Sequence, residues 1–238
     1  MLYRVFLSIC LLFGFATANL NQQTTVLKNV KADSATIDIG NLSIGQTGVI
    51  IHNFDESKSI IIADFEVVTT SLNQSTLKFT YIDYDNKVAI PYPKISVKNG
   101  DTVILNHMYN TSFIVAPDFE SFELVNKNFS SQNFLHSDIF GAYLKTINQP
   151  IPSQKDFKDF CKINNIGTIF FIIEGFVYVV DSKSFAILEE YKVKKELSSS
   201  THMTPFYTNI EDIKLGLFSF GENSIASYNN YYSKLLGL

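Results

Sequence analysis

The chain has 238 residues, with 19 basic against 23 acidic side chains and a net charge of −4. That length suits one large or two small domains that bury a core without disulfides or metals, and the acidic balance, with no basic stripe, disfavours a nucleic-acid-binding class. The 21 Phe and 12 Tyr, with no Trp, sit among many Ile, Val and Asn, a mixture suited to sheets and polar turns rather than helical bundles or disorder.

At the N-terminus, Arg4, the apolar run from Val5 to Phe15 and the small-residue exit Ala16-Thr17-Ala18 read as a secretory signal peptide over residues 1–18, cleaved between Ala18 and Asn19. The run falls well short of the roughly 20 apolar residues of a spanning helix, so no stable membrane span is expected after cleavage. Cys10 lies inside the run, after Ile9, which is a poor lipid-attachment context. Cleavage removes Arg4 and takes the balance from −4 to −5. Cys161 is then the remaining cysteine, so the exported chain is expected to lack an intrachain disulfide and to hold Cys161 as a buried thiol.

Residues 19–115 read as a β-rich module. Asn19 to Lys31 is polar and aperiodic, after which Val49–Ile51, Ile60–Val68, Thr76–Ile82 and Val103–Leu105 are strand candidates. Turns are expected at Asp55–Ser59, Asn73-Gln74 and Lys98–Asp101, with Asn99-Gly100 the strongest hairpin signal. Pro91 and Pro93 each remove a ladder donor, which puts Tyr92 at a sheet edge or outside the sheet. Several short strands at this spacing predict a small barrel or sandwich.

Residues 116–238 read as an α+β module. Phe119, Phe122 and Val125 share one helical face, and Ser137 is placed to cap a helix carrying Ile139, Phe140, Tyr143, Leu144 and Ile147. Ser153 and Asp156 make a capping box before Phe157, Phe160 and Cys161. The run Ile166–Val180 contains Glu174-Gly175 and is rich in β-branched residues, which predicts two buried strands around a tight turn rather than a membrane span. A second turn at Asp181–Ser184 and a strand over Phe185–Val193 complete an antiparallel meander, with the preceding helices covering one side. Ser224 is placed to cap a last helix bearing Ile225, Tyr228, Tyr232 and Leu235. The fold class is therefore α+β: a barrel or sandwich, a helix-covered antiparallel meander and a C-terminal helix.

No catalytic motif emerges. His52, His107, His136 and His202 are widely separated, without paired metal-ligand spacing, and no metal or other cofactor is expected. Asp83-Tyr84-Asp85-Asn86 starts like a calcium loop but has Val88 and Lys94 where that loop needs Gly and Glu, so it reads as a solvated turn. Gly40…Ser43…Gly45 and Gly216…Ser219…Gly221 each have one residue too many for a nucleophile elbow. His136-Ser137-Asp138 are sequence neighbours at a helix start, where triad geometry is not expected. Cys161 on an apolar face lacks the exposed electropositive setting of a nucleophile. Asn-x-Ser matches at Asn41, Asn73, Asn110 and Asn128 are of the kind that arise by chance in an Asn- and Ser-rich chain.

Several ordered pieces carry a resemblance: Gly45-Gln46-Thr47-Gly48-Val49, Phe113-Ile114-Val115-Ala116-Pro117, Ser137-Asp138, Cys161 with Gly167, Ser184-Phe185-Ala186-Ile187-Leu188-Glu189 and Thr204-Pro205-Phe206. Over most of the exported chain they make it similar to the N-terminal domain of the plasminogen-binding surface proteins of spiral Gram-negative bacteria. The resemblance implies an exported, non-enzymatic protein of the periplasm or cell surface. Its expected partner is a protein, either plasminogen or another envelope protein. The family's Lys/Glu-rich tail ending in lysine has no counterpart at Leu235-Leu236-Gly237-Leu238, where a terminal leucine cannot present the ammonium–carboxylate spacing that kringle modules recognise. Lys192, Lys194 and Lys195 offer only an internal cluster. Relatives carry a cysteine where this chain has Ser182, so a disulfide to the position of Cys161 is not expected here. The alternative reading is a periplasmic assembly or scaffold factor presenting an edge strand or groove to another envelope protein. Sequence names no interaction residue.

Overall fold

The computed structural model describes residues 20–82, 95–193, 205–211 and 225–238. Two sheets and four helices make up the described chain, a mixed α+β fold in which strands dominate. The first sheet contains β1 (Gln23–Val26), β2 (Ser34–Ile37), β3 (Thr47–Asn53), β4 (Ser59–Thr70), β5 (Ser75–Tyr81) and β6 (Thr102–Leu105). Its spatial order is β1-β6-β3-β4-β5-β2, with every pair antiparallel. The sheet rolls until its edges meet at one bridge, where the Lys28 and Thr36 amides each donate to the other's carbonyl at 2.8 Å.

Period-two alternation explains the roll. On β5, Ser75, Leu77 and Phe79 point inward while Lys78 and Thr80 face out, and β4 alternates likewise through Phe65 and Val67. The inward set, including Leu27, Ile37, Ile50, Ile62, Leu77, Val103 and Leu105, forms one core inside the barrel. Register shifts between Ile50 and Ile51 and between Val67 and Thr69 mark bulges that help the strands curl.

All four sequence-predicted strands are present. Two more were missed: β1 lies in the stretch read as aperiodic, and β2 was not singled out. Asn99-Gly100 does form a tight turn, with Gly100 at φ +89°, but it feeds β6 from non-strand chain and closes no two-stranded hairpin. Pro91, Tyr92, Pro93 and the Asp83–Asn86 segment lie outside the described residues.

The second sheet has the order β11-β10-β9-β7-β8. Here β7 is Thr111–Val115, β8 Asn133–Leu135, β9 Thr168–Ile173, β10 Phe176–Asp181 and β11 Ile187–Lys192. The predicted meander β9-β10-β11 is antiparallel, and Glu174 (φ 49°) and Gly175 (φ 82°) make the tight turn between its first two strands. Beyond it the sheet is extended by parallel pairing of β7 with both β8 and β9. The chain thus leaves the barrel at Leu105 and enters the second sheet at Thr111.

Helices α1 (Phe119–Asn128), α2 (Ser137–Thr146), α3 (Gln154–Asn164) and α4 (Tyr228–Leu236) cover this sheet. Odd-numbered residues Phe113, Val115, Ile169 and Phe171 join Phe140 and Leu144 of α2, Phe157 and Phe160 of α3, and Tyr228 and Tyr232 of α4. Even-numbered Ile114, Phe170 and Ile172 pack with Phe122 and Val125 of α1. Both faces are therefore buried, and every residue of β9 is inaccessible. The expectation that helices cover one side is met by α2 and α3, while α1 closes the opposite face.

Two cap assignments need correction. His136, not Ser137, caps α2, its Nδ1 accepting from the Asp138 amide at 3.2 Å, and Ser137 is the first helical residue. Ser227 caps α4 by accepting from the Asn230 amide, and Ser224 lies outside the described residues. The Ser153/Asp156 capping box on α3 is present with both reciprocal bonds, from the Asp156 amide and the Ser153 amide.

Candidate functional site

The two sheets meet along a polar seam. Asp181, at the end of β10, is fully buried and accepts hydrogen bonds from the Thr47 hydroxyl at 2.7 Å, from the Tyr109 hydroxyl, and from the Lys183 and Ser184 amides at 2.8 Å each. Tyr109 in turn accepts from the Thr47 amide at 3.0 Å. Burial, then the adjacent Asp181 carboxylate, push the Tyr109 hydroxyl well above its ordinary pKa, so it stays a donor. Ser184 donates to the Gly45 carbonyl at 2.6 Å, and Ser43 to the Leu188 carbonyl at 3.3 Å.

Backbones approach closely here, and glycine permits it. Gly45 has φ +88°, and a Cβ there would stand 2.2 Å from that of Ala186; one at Gly167 would stand 2.5 Å from the Met108 backbone. Three of the six segments that carried the sequence resemblance meet here. Gly45–Gly48 of the barrel meets Ser184–Ala186 of the meander, and the Gly167 carbonyl accepts from the Ser182 amide beside Cys161.

Beside the seam a cleft of 650 Å³ opens between the outer wall of β4–β5 and the C-terminal half of α3. Val49, Ile61, Ile82, Met108, Cys161 and Ile166 supply its apolar lining. Its charged groups are Asp64, Glu66 and Lys78 on the barrel wall, Lys158, Asp159 and Lys162 on α3, and Lys183 between them, with the His107 imidazole alongside. Lys183 ties the walls together through a 2.5 Å ion pair with Asp64. Burial, then the Lys183 ammonium, push the His107 imidazole below its ordinary pKa against a smaller opposing pull from Asp64, so it is neutral near pH 7.

Other residues weighed on sequence fall apart in space. His52 sits at the other end of the barrel, its Nδ1 2.8 Å from the Asp101 carboxylate. His136 caps α2 and packs against Phe122. Among the described residues, no three His, Cys, Asp or Glu side chains converge to hold a metal ion. Ser137 is buried and its hydroxyl meets no partner, so the His136-Ser137-Asp138 run makes no relay. Ser182 donates to the Ile166 carbonyl at 2.7 Å, and burial, then Asp181, push the Cys161 thiol well above its ordinary pKa. Ala18, Asn19, Cys10, His202, Ser219, Lys194 and Lys195 lie outside the described residues, and Lys192 is an exposed strand end. The seam residues Thr47, Tyr109 and Asp181 were not singled out for a role: each is unremarkable in its local pattern, and only the pairing of distant segments reveals them.

The family model described as "Plasminogen-binding protein pgbA N-terminal" matches residues 22–236, nearly the whole chain. The chain belongs to this family. It is 24% identical over 201 residues to the plasminogen-binding protein PgbA of Helicobacter pylori strain J99, covering 82% of this chain and 43% of that relative. The PgbA of Helicobacter pylori strain 26695 is 23% identical over the same extent. The chain thus spans less than half the length of the curated relatives it matches. No solved structure matches the chain.

Proposed function

We propose that this PgbA-type domain is an exported, non-catalytic protein-binding module of the cell envelope, with plasminogen as its first candidate ligand. The family match over residues 22–236 carries the reading, because the relatives are named as plasminogen-binding proteins. Export is supported by the leader pattern over residues 1–18 and its Ala18–Asn19 cleavage signal. A non-catalytic role is supported by the commitment of the two cleft serines, Ser182 and Ser184, to backbone carbonyls, and by a thiol at Cys161 held protonated. Among the described residues, no helix is long and apolar enough to cross a membrane.

Purified chain from Asn19 onward, immobilised and exposed to purified plasminogen with and without a lysine analogue, tests the ligand. Saturable retention is expected. Release by the analogue would assign the contact to lysine side chains, and absence of any retention would remove plasminogen as the ligand. Export is tested separately: N-terminal sequencing of the protein recovered from the envelope fraction should begin at Asn19. A chain that keeps Met1 and stays in the cytoplasm would defeat the export reading.

A further inference from the structure

We propose that the cleft between β4–β5 and α3 binds an acidic peptide segment of a partner protein, with an apolar side chain on its floor and a carboxylate between Lys158 and Lys162. The inference rests on the protein-binding reading only for the class of partner. Its geometry stands by itself. At 650 Å³ the cleft lies within the range of about 300–1,000 Å³ usual for ligand pockets, and it combines an apolar floor with a charged rim.

Charge accounting selects the sign of the ligand. Asp64 is paired with Lys183 at 2.5 Å, and Asp159 with Lys155 at 2.5 Å one turn back along α3. Glu66 lies opposite Lys78 in the β4–β5 register, on the same outer face. Two of the three cleft carboxylates, Asp64 and Asp159, are thus held in ion pairs, and over the whole lining four lysines, Lys78, Lys158, Lys162 and Lys183, stand against Asp64, Glu66 and Asp159. Among the described residues, no acidic side chain lies within ion-pair distance of Lys158 or Lys162. The Lys158 ammonium instead reaches the Ser184 carbonyl at 3.4 Å and stands 5.9 Å from the centre of the Phe185 ring. Lys158 and Lys162 are four residues apart on α3, so both ammonium groups border the same side of the cleft.

The C-terminus of α3 also points here, with its cap at Asn165. Its partial charge of about −0.5 is outweighed by two full positive charges, and Lys162 in the last turn already offsets it. A peptide fits better than a small anion because apolar lining residues from both walls, Ile61 and Ile82 on one and Met108 and Ile166 on the other, leave a surface that an inorganic ion would not cover. Exposed Glu66, Lys78 and Thr80 on one rim and Lys162 on the other leave the cleft open to an extended chain.

Fluorescence anisotropy of the purified chain with fluorescein-labelled acetyl-Leu-Glu-Phe-Glu-Leu-amide, and with the same peptide carrying Lys for Glu, tests the proposal. Saturable binding of the Glu peptide is expected, about tenfold tighter than its Lys counterpart and weakened by added salt. Lys162→Glu, at an exposed position that leaves the fold intact, should weaken the Glu peptide about fivefold, and Lys158→Glu with Lys162→Glu should invert the preference. Equal affinity for the two peptides, absence of saturable binding, or an unchanged preference in a Lys162→Glu protein of unchanged melting temperature would overturn it. Loss of plasminogen retention with peptide binding intact removes only the ligand named above; plasminogen retention without peptide binding removes only the cleft.

Discussion

The barrel and the five-stranded sheet hide their apolar surface in opposite ways. Barrel strands bury one side each and enclose their own core, so no helix is needed and the outer wall is free to carry Asp64, Glu66 and Lys78. The second sheet buries both sides and depends on α1 on one face and on α2, α3 and α4 on the other. An aromatic cluster fills the larger of these layers, with Phe140 4.7 Å from Phe157, 4.9 Å from Phe160, 5.3 Å from Phe113 and 5.4 Å from Phe206 between ring centres. The contrast teaches where surface is available for partners: the barrel wall and the cleft beside it are open, whereas the sheet between the helices is not.

The largest test of this contrast is Phe140→Ala. Removing a ring that is fully buried among five others should cost about 3–5 kcal/mol, through lost transfer energy and an unfilled cavity. Thermal unfolding followed by near-ultraviolet circular dichroism, which reports the packed Tyr and Phe rings, should drop by many degrees. If the barrel folds independently, its strands will keep their amide-exchange protection while those of β9 lose theirs. Equal loss in both regions would show one cooperative unit.

Next in size is Asp181→Ala at the seam. The change strips the acceptor from the Thr47 and Tyr109 hydroxyls and from the Lys183 and Ser184 amides, and should cost about 3 kcal/mol. Because those donors come from both sheets, the expected signature is a single unfolding transition splitting into two. A uniform shift with one transition retained would mean that apolar contact, not the seam, couples the halves.

Ser153→Ala should cost about 1 kcal/mol by removing the capping box of α3, and its effect should stay on the helical side. Exchange of the first α3 amides should accelerate while β3–β5 remain unchanged. Equal acceleration in the barrel would contradict that separation.

The same contrast decides what sequence could reveal. Strands β3–β6 and β9–β11 carry dense β-branched runs bounded by turn residues, so their positions could be read directly. Gln23–Val26 has the alternation of a strand written in polar residues, because it is an edge strand paired on one side only by β6, and hydropathy misses it. Parallel pairing of β7 with β8 and β9 depends on the α1 crossover and on a return through α2 and α3, long-range choices with no local signature. The cap of α2 was misplaced by one residue because serine is the usual cap, whereas the imidazole of His136 does that work here. The cleft was invisible for a related reason: Lys158 and Lys162 belong to α3 and Lys183 to the β10–β11 turn, whereas Asp64 and Glu66 belong to β4, more than ninety positions earlier in the chain.

The smallest expected effect is local and set by pH. The segment from Pro205 to Glu211 lies across α2, where Asp138 accepts from the Asn209 amide at 2.6 Å, from the Thr208 hydroxyl at 2.7 Å and from the Asn209 side-chain amide at 3.0 Å. Gly141 makes room for it, since a Cβ there would stand 2.9 Å from the Thr208 hydroxyl. Burial alone would raise the Asp138 pKa, but the bonds from Asn209 and Thr208, helped by His136, together hold it below the ordinary carboxylate value. A depressed folded-state pKa gives stability that is complete above the unfolded value of about 4 and is lost as pH falls through the folded one. The clamp should therefore hold through neutral and mildly acidic pH and release only below about pH 4. Exchange of the Asn209 amide, measured from pH 6 down to pH 3 and corrected for intrinsic rates, should lose protection at the acidic end while β9 amides do not. In Asp138→Asn the protection should be low and independent of pH over that range; a wild-type profile in the variant would show that Phe206, buried against Phe140, holds the segment by itself.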